Sequence, residues 1–326
     1  MGGDHMPAAA IDGALQAVRQ GAQVVLVGDE ARLREALAER GSAVDIPIVH
    51  AGDVIGMDEH ATDVRRRKDA SVVVATRLVK DGDASACVSM GHSGATMAAA
   101  LLVLGRVKGV ERPAILANIP NATGGFTALI DAGANADCRP SFLQQFALMG
   151  DAYAKAMYGT DAPTVGLMSI GEEPEKGNEL TRDAHVLLAA TRGIRFHGNV
   201  EGRDLFRGTT DVMVTDGFTG NVMLKLAEGE AKVLFGMVRD ALKSDLRSKL
   251  GGLLAKPALR RVAARLDPAE VGAQPLLGVD GHAFIGHGSS DARAVTSAVR
   301  TAELLVDAGL TERIASAVRA SAADAA

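Results

Sequence analysis

Two alternating hydrophobic periods constrain this chain more than any other feature. Short β-branched runs (Gln23 to Gly28, Ile46 to His50, Ala86 to Ser89, Ala114 to Ile119, Thr127 to Asp131) are separated by longer Ala- and Leu-rich stretches of helical spacing. That alternation reads as βα units. Pro7 suits a first helical turn, and the stretch from Ala8 to Gln20 ends at Gly21, a good helix stop before a strand. After Phe142 the pattern continues with a helix to about Tyr158, a strand at Thr164 to Ser169, a helix from Glu179 and a strand at Asp211 to Thr215. Right-handed crossovers would wind such units into a mostly parallel sheet covered on both faces. The expected class is α/β, a three-layer, Rossmann-like, doubly wound sheet, with residues 1–326 as a single domain.

Composition narrows the function classes. With 35 Lys plus Arg against 40 Asp plus Glu, the formal charge is −5, so no global field draws the protein to nucleic acid. Aromatics at 3%, with no Trp, argue against a base-stacking surface. Cys87 and Cys138 sit far apart and match no metal-ligand spacing, so neither a disulfide framework nor a metal is expected, and the cytosol is the expected compartment. The longest apolar runs, such as Ala98 to Leu104, fall well short of a membrane span, and no cationic leader precedes them.

One segment breaks the rhythm. From Arg239 to Asp267 the chain reads as a long helix, then Gly251-Gly252, then Leu253 to Pro257, then a second helix. Eight cations against Asp240, Asp245 and Asp267 give this segment +5 in a chain of −5. A cationic amphipathic hairpin inserted at 239–267, with Leu250, Leu253, Leu254 and Leu259 around its apolar tip, has the makeup of a membrane-surface anchor. A solvated hairpin packed on a dimer mate is the alternative.

Several loops join strands to helices and carry anion-binding residue types. In the Ser89 to Ala95 loop, Gly91, His92, Ser93 and Gly94 follow an apolar strand and open a helix, where free N–H groups attract an anion. It is neither G-x-x-x-x-G-K-[ST] nor G-x-G-x-x-G, so it does not announce a nucleotide. The Gly171 to Glu179 loop holds Lys176 among four carboxylates, with Asn178 beside it; an exposed charged loop is the competing reading. Asp216 to Asn221 again links a strand to a helix, with Lys225 one turn on. Near the C-terminus, His287 and Ser289 sit in His287-Gly288-Ser289-Ser290-Asp291, where His287 can be a base, an anion ligand or a cap. Cys138 is a conceivable nucleophile with no partner at a recognisable spacing.

Together these segments resemble the bacterial acyl-carrier-protein-dependent phosphate acyltransferases of phospholipid synthesis. The resemblance covers nearly the whole chain. It is carried by Met1-Gly2-Gly3-Asp4 with Pro7, Ser89 to Ala95, Arg112-Pro113-Ala114, Asp131 to Asn135, Gly166 through Glu179, Gly198-Asn199 with Glu201, Asp211 through Asn221 with Lys225, and His287 to Ser290. The family's loop usually reads Ser-Ala-Gly-Asn-Thr-Gly-Ala, so Met90, His92 and Ser93 depart from it. The family also has a short strand before Met-Gly-Gly-Asp, so the natural start is expected upstream of Met1.

The resemblance implies a fold akin to phosphate acetyltransferase and the isopropylmalate dehydrogenase-like proteins, a homodimer, and a cytoplasmic enzyme held peripherally at the inner face of the plasma membrane. It implies transfer of a long-chain acyl group from acyl-ACP to inorganic phosphate, without a cofactor. The acyl phosphate would pass to a membrane glycerol-3-phosphate acyltransferase. Lys176 and Asn178 are expected as oxyanion donors and Asp216 as the carboxylate that orients or deprotonates phosphate. Asp4, Ser89, Gly91, His92, Ser93, Gly94, Arg112, Asn135, Asn199, Asn221, His287 and Ser289 are expected to bind substrate or phosphate. The rivals are a phosphate acetyl- or butyryltransferase using acyl-CoA and a non-catalytic membrane-associated scaffold.

Overall fold

A computed structural model describes residues 2–41 and 44–324 of the chain. Met1 of the N-terminal motif lies outside them. Strands β1 (Leu26–Gly28) and β2 (Ile48–His50) pair in parallel as a small sheet of their own, beside helices α1 (Ala8–Arg19) and α2 (Glu30–Glu39). The main sheet has eight strands: β3 (Cys87–Ser89), β4 (Ala114–Pro120), β5 (Phe126–Ile130), β6 (Thr164–Met168), β7 (Arg195–Val200), β8 (Val212–Val214), β9 (Gln274–Leu277) and β10 (Ala283–Ile285). Their order is β3-β10-β9-β4-β5-β8-β6-β7.

The sheet is parallel on its two flanks, β3 with β10 and β5-β8-β6-β7, but antiparallel through its middle, β10-β9-β4-β5. The expected run of βα units therefore fails at β4 and β5, which form a hairpin. Its turn, Asn121 to Gly125, is too short for a crossover helix and is closed by the Asn121 side chain, which accepts from Thr123 Oγ1 (2.7 Å) and the Gly125 N–H (3.2 Å).

Alternating side chains send the strands into two cores. Val212 and Val214 join Leu116, Ile130 and Val165 against Phe146, Met149 and Tyr153 of α5 (Pro140–Tyr158). Met213, Leu129 and Ile115 face the other way, toward Leu205 of α7 (Gly202–Arg207) and Leu224 of α8 (Gly217–Ala241). Helices on both faces make the three layers. The remaining helices are α3 (Ser71–Asp81), α4 (Ser93–Val103), α6 (Glu179–Ala190), α9 (Leu246–Arg265), α10 (Ala292–Asp307) and α11 (Leu310–Asp324). Among the described residues no helix is long and apolar enough to cross a membrane.

The hairpin is placed differently from expectation. Its turn is Leu242–Asp245, and α9 runs unbroken through Gly251, Gly252 and Pro257. Gly-Gly and Pro are breaker signals, yet Gly252 lies against Leu242, where a Cβ would stand 3.2 Å from its Cβ, so the small residue serves close helix packing. Leu259 is half-buried, whereas Leu246, Leu250, Leu253 and Leu254 are exposed.

Candidate active site

The N-terminal segment, the Ser89 loop and the His287 loop meet. The Asp4 N–H donates to the carbonyl of Gly288 at 2.8 Å. A Cβ on Gly3 would stand 2.6 Å from the Met90 carbonyl and 2.9 Å from that of Gly288, and the Gly2 and Gly91 backbones are in contact, so only glycine permits this approach. Gly286 completes the junction by donating to Ser89 O at 2.8 Å. Helices α4 and α10 open from the Ser89 and His287 loops, and α1 follows the N-terminal segment, its second turn at Gly13 lying against Ala292 of α10. None carries an acidic residue in its first turn, although the Asp291 carboxylate caps α10 and the Asp4 carboxylate lies beside Gly288. Asp4, Ser93 and Ser289 are exposed here.

His92 holds the loop rather than offering a free ring. Its Nδ1 accepts from the Ala95 N–H at 3.2 Å as the N-cap of α4, and its Nε2 lies 3.0 Å from the Glu59 carbonyl, to which it donates. Capping fixes the tautomer. Ser89 Oγ accepts from Thr96 Oγ1 at 2.9 Å, tying the strand end to the helix start. Behind Glu59, Arg67 donates to its carboxylate at 2.6 Å and to Asp53 at 2.7 and 2.5 Å.

A second cluster gathers at the carboxyl ends of β5 and β8. Asp131 is fully buried and accepts five N–H bonds, from Ile115, Gly133, Ala134, and Asn135 backbone and side chain, at 2.7 to 3.1 Å. Burial raises its carboxyl above the ordinary range while those donors pull it back. Asn135 also donates to Pro113 O at 2.7 Å. On this turn sits the start of α8: a Cβ on Gly220 would fall 1.9 Å from Asp131 O, and Asn221 lies against Gly133. Asp216 caps α8, accepting from the Thr219 N–H and Oγ1 at 2.8 Å each, so its carboxylate serves the backbone. Exposed Arg112 lies over the Phe142 ring at 5.8 Å. The half-buried Cys138 thiol is pushed up to about 11 by burial and stays protonated at neutral pH, unsuited to nucleophilic attack.

The loop after β6 belongs to this end of the strands. Lys176 is exposed, without an ion pair among the described residues, and Asn178 caps α6 by accepting from the Thr181 N–H at 2.9 Å. Asn199, buried on β7, donates to Glu173 O at 2.8 Å while its own Oδ1 meets His185 Nδ1 at 2.9 Å.

Helix α8 measures the separation of the two clusters. From its cap at Asp216 it runs to Glu228, roughly 18 Å away at ~1.5 Å per residue. There one carboxylate oxygen lies 3.4 Å from Lys225 Nζ and the other 3.4 Å from His287 Nε2. The His287 contact, then Lys225, holds the Glu228 carboxyl below its usual range. No single phosphate spans that length, so Asp216 and a phosphate beside His287 do not touch.

The model of the fatty acid synthesis protein family matches residues 1–313. The chain belongs to that family. It is 61% identical over 314 residues to a phosphate acyltransferase of Thermus thermophilus (96% of this chain, 95% of that one). It is 51% identical over 320 residues to one of Pelotomaculum thermopropionicum (98% and 93%). These relatives make it an acyltransferase. Among solved structures it shares its fold with a phosphotransacetylase from Streptococcus pyogenes (TM-score 0.62, 16% identity, 93% and 91% covered). A branched-chain phosphotransacylase from Enterococcus faecalis is similar (TM-score 0.57, 14% identity, 94% and 96% covered).

In this member of the family, folding joins Asp4, Ser89, Gly91, His92, Ser93, Gly94, His287 and Ser289 at one junction. Arg112, Asn135, Asp216 and Asn221 collect around the second, and Lys176, Asn178 and Asn199 around the β6 loop. Sequence reading named Asp131 within a motif but gave it no role, and passed over Glu228, Glu59 and Arg67. For Glu228 a signal existed, since it lies one helical turn beyond Lys225; for Arg67 and Glu59 none did.

Proposed function

We infer that the enzyme transfers a long-chain acyl group from acyl-ACP to inorganic phosphate, releasing acyl phosphate and free carrier protein. The close meeting of the Gly3, Gly91 and Gly288 backbones, where the Ser89 and His287 loops open α4 and α10, supports this reading most strongly, because glycine backbone and helix-start N–H groups suit a small multivalent anion. Phosphate held there is presented in line to the thioester carbonyl, and proximity supplies much of the rate. A thiolate leaves readily, so no covalent intermediate is needed. The Lys176–Asn178 loop, on its Asn199 tether, supplies oxyanion donors to the acyl end of the donor in this reading.

Two surfaces fit the remaining steps. The α9 stretch Leu246–Arg265 contains no acid, and exposed Leu246, Leu250, Leu253 and Leu254 form a stripe with Lys249, Lys256 and Arg260 on one flank and Arg247 and Arg261 on the other. We place it flat on an anionic membrane, where labile, insoluble acyl phosphate meets the next acyltransferase. Exposed Phe218, Val222, Leu226, Val233 and Met237 line one side of α8 and fit the dimer mate.

Trapping tests the product. With acyl-ACP and radiolabelled inorganic phosphate, label should be trapped in an extractable acyl phosphate in step with released thiol; thiol release without label in the acyl product would mean hydrolysis instead.

A further inference from the structure

We propose that Glu228 is a positioning residue for the transfer, fixing His287 so that the free ring nitrogen takes the proton of the attacking phosphate. This rests on the phosphate acyltransferase reading above. Glu228 lies on the side of α8 that also carries Asn221 and Lys225, away from the exposed apolar stripe. Its two oxygens are divided between Lys225 Nζ and His287 Nε2, at 3.4 Å each, and its side chain is 21% exposed. Ionised Glu228, 3.4 Å from Nε2, favours the proton on that nitrogen, which leaves Nδ1 as the lone-pair nitrogen of the neutral ring. Among the described residues no hydrogen bond reaches Nδ1. His287 directly precedes Gly288, the residue that receives the Asp4 N–H at the anion cradle.

The charged groups facing His287 come from three elements. Glu228 and Lys225 are on α8, Asp4 is on the N-terminal segment, and Asp291 of the following turn is occupied as the cap of α10. Among the described residues Glu228 is the charged group within ion-pair distance of the ring, so in this proposal it sets the tautomer. The step balances as follows. An oxygen of monohydrogen phosphate bonds to the thioester carbon, the carbon–sulfur bond breaks, and its electron pair leaves on sulfur. The phosphate proton moves to Nδ1 and then to the thiolate, giving acyl phosphate and free thiol with the imidazole restored. A carboxylate that orients a proton-carrying imidazole is the division of labour seen in hydrolytic triads.

The test uses the full chain and the E228Q variant, which keeps size and loses charge. With acyl-ACP and phosphate, kcat should fall about 10²-fold, the low end for a proton carrier, with phosphate KM little changed. H287A should fall comparably, and E228Q/H287A no further, because one function has been lost twice. Full kcat in folded E228Q, or additive losses in the double variant, would overturn the proposal. A second readout needs no turnover. In the imidazole ¹H–¹⁵N spectrum the His287 resonance should show the Nε2-protonated tautomer in the wild type and a mixture in E228Q. An unchanged spectrum refutes the role of Glu228. A wild type that shows the tautomer yet releases no thiol refutes the acyl-transfer reading instead.

Discussion

Asn199 of β7 donates its side-chain N–H to the carbonyl of Glu173 at 2.8 Å, so a buried strand residue tethers the loop that carries Lys176. The Lys176 ammonium makes no ion pair among the described residues, which leaves its charge available to a ligand. If that charge steadies the oxyanion, Lys176→Ala loses ~2 to 4 kcal/mol of transition-state stabilisation. Asn199→Val should lower kcat in the same direction by loosening the tether. Steady-state kinetics on folded variants decide the matter, and an unchanged rate in Lys176→Ala returns it to the solvent.

His92 gives a second prediction. It stands where the resembling family usually has Asn, and its Nδ1 does what an amide oxygen would do there. His92→Asn should therefore keep both stability and phosphate KM, whereas His92→Ala should lose ~1 kcal/mol from the uncapped α4 and raise phosphate KM. Denaturant midpoints and phosphate titration of the rate measure both. A raised KM in His92→Asn with the cap intact would mean that the ring meets the anion directly.

The Arg67 clamp predicts a pH dependence. Arg67 holds the carboxyls of Asp53 and Glu59 below their ordinary values, chiefly through its side-chain hydrogen bonds. Depressed carboxyls contribute stability that is present above the unfolded values, ~4, and lost as pH falls through the folded ones. The stability gap between wild type and Arg67→Ala should thus be full at neutral pH and shrink below about pH 4. Acid titration of the two denaturation curves shows this; parallel curves would deny the clamp.

In the proposed docking on a membrane, the exposed leucines of α9 make the contact. Burying a Leu is worth ~1.5 to 3 kcal/mol and each nearby cation adds ~1 at an anionic surface, enough for reversible attachment. Changing Leu253 and Leu254 together to Asp should abolish co-flotation with anionic liposomes and leave turnover in solution near normal. A double variant that still floats removes α9 as the anchor, and one that falls into monomers assigns those leucines to the dimer.

Much of this arrangement was legible in the sequence, because β-branched runs and Ala-rich helices announce themselves by period. The junction of Asp4, Ser89 and His287 was visible only as three separate loops, since long-range contacts leave no local mark. Strand β7 escaped notice because Arg195 and His197 make it read as polar, and β9 and β10 because they follow one another without a helix between them, outside the βα rhythm. The Gly251-Gly252 pair misplaced the hairpin turn, since a breaker signal cannot reveal that Leu242 needs the space. Glu228 is one of six charged residues on α8, and nothing before folding shows that His287 arrives beside it.

Phosphate-dependent thiol release tests the central claim most directly. Purified protein is given long-chain acyl-ACP or the matching acyl-CoA, each with and without inorganic phosphate, and free thiol is measured. The account predicts release from acyl-ACP that requires phosphate, with little from acyl-CoA. Equal turnover of both donors would move the enzyme to the acyl-CoA class, and release that ignores phosphate would contradict the anion cradle at Gly3, Gly91 and Gly288.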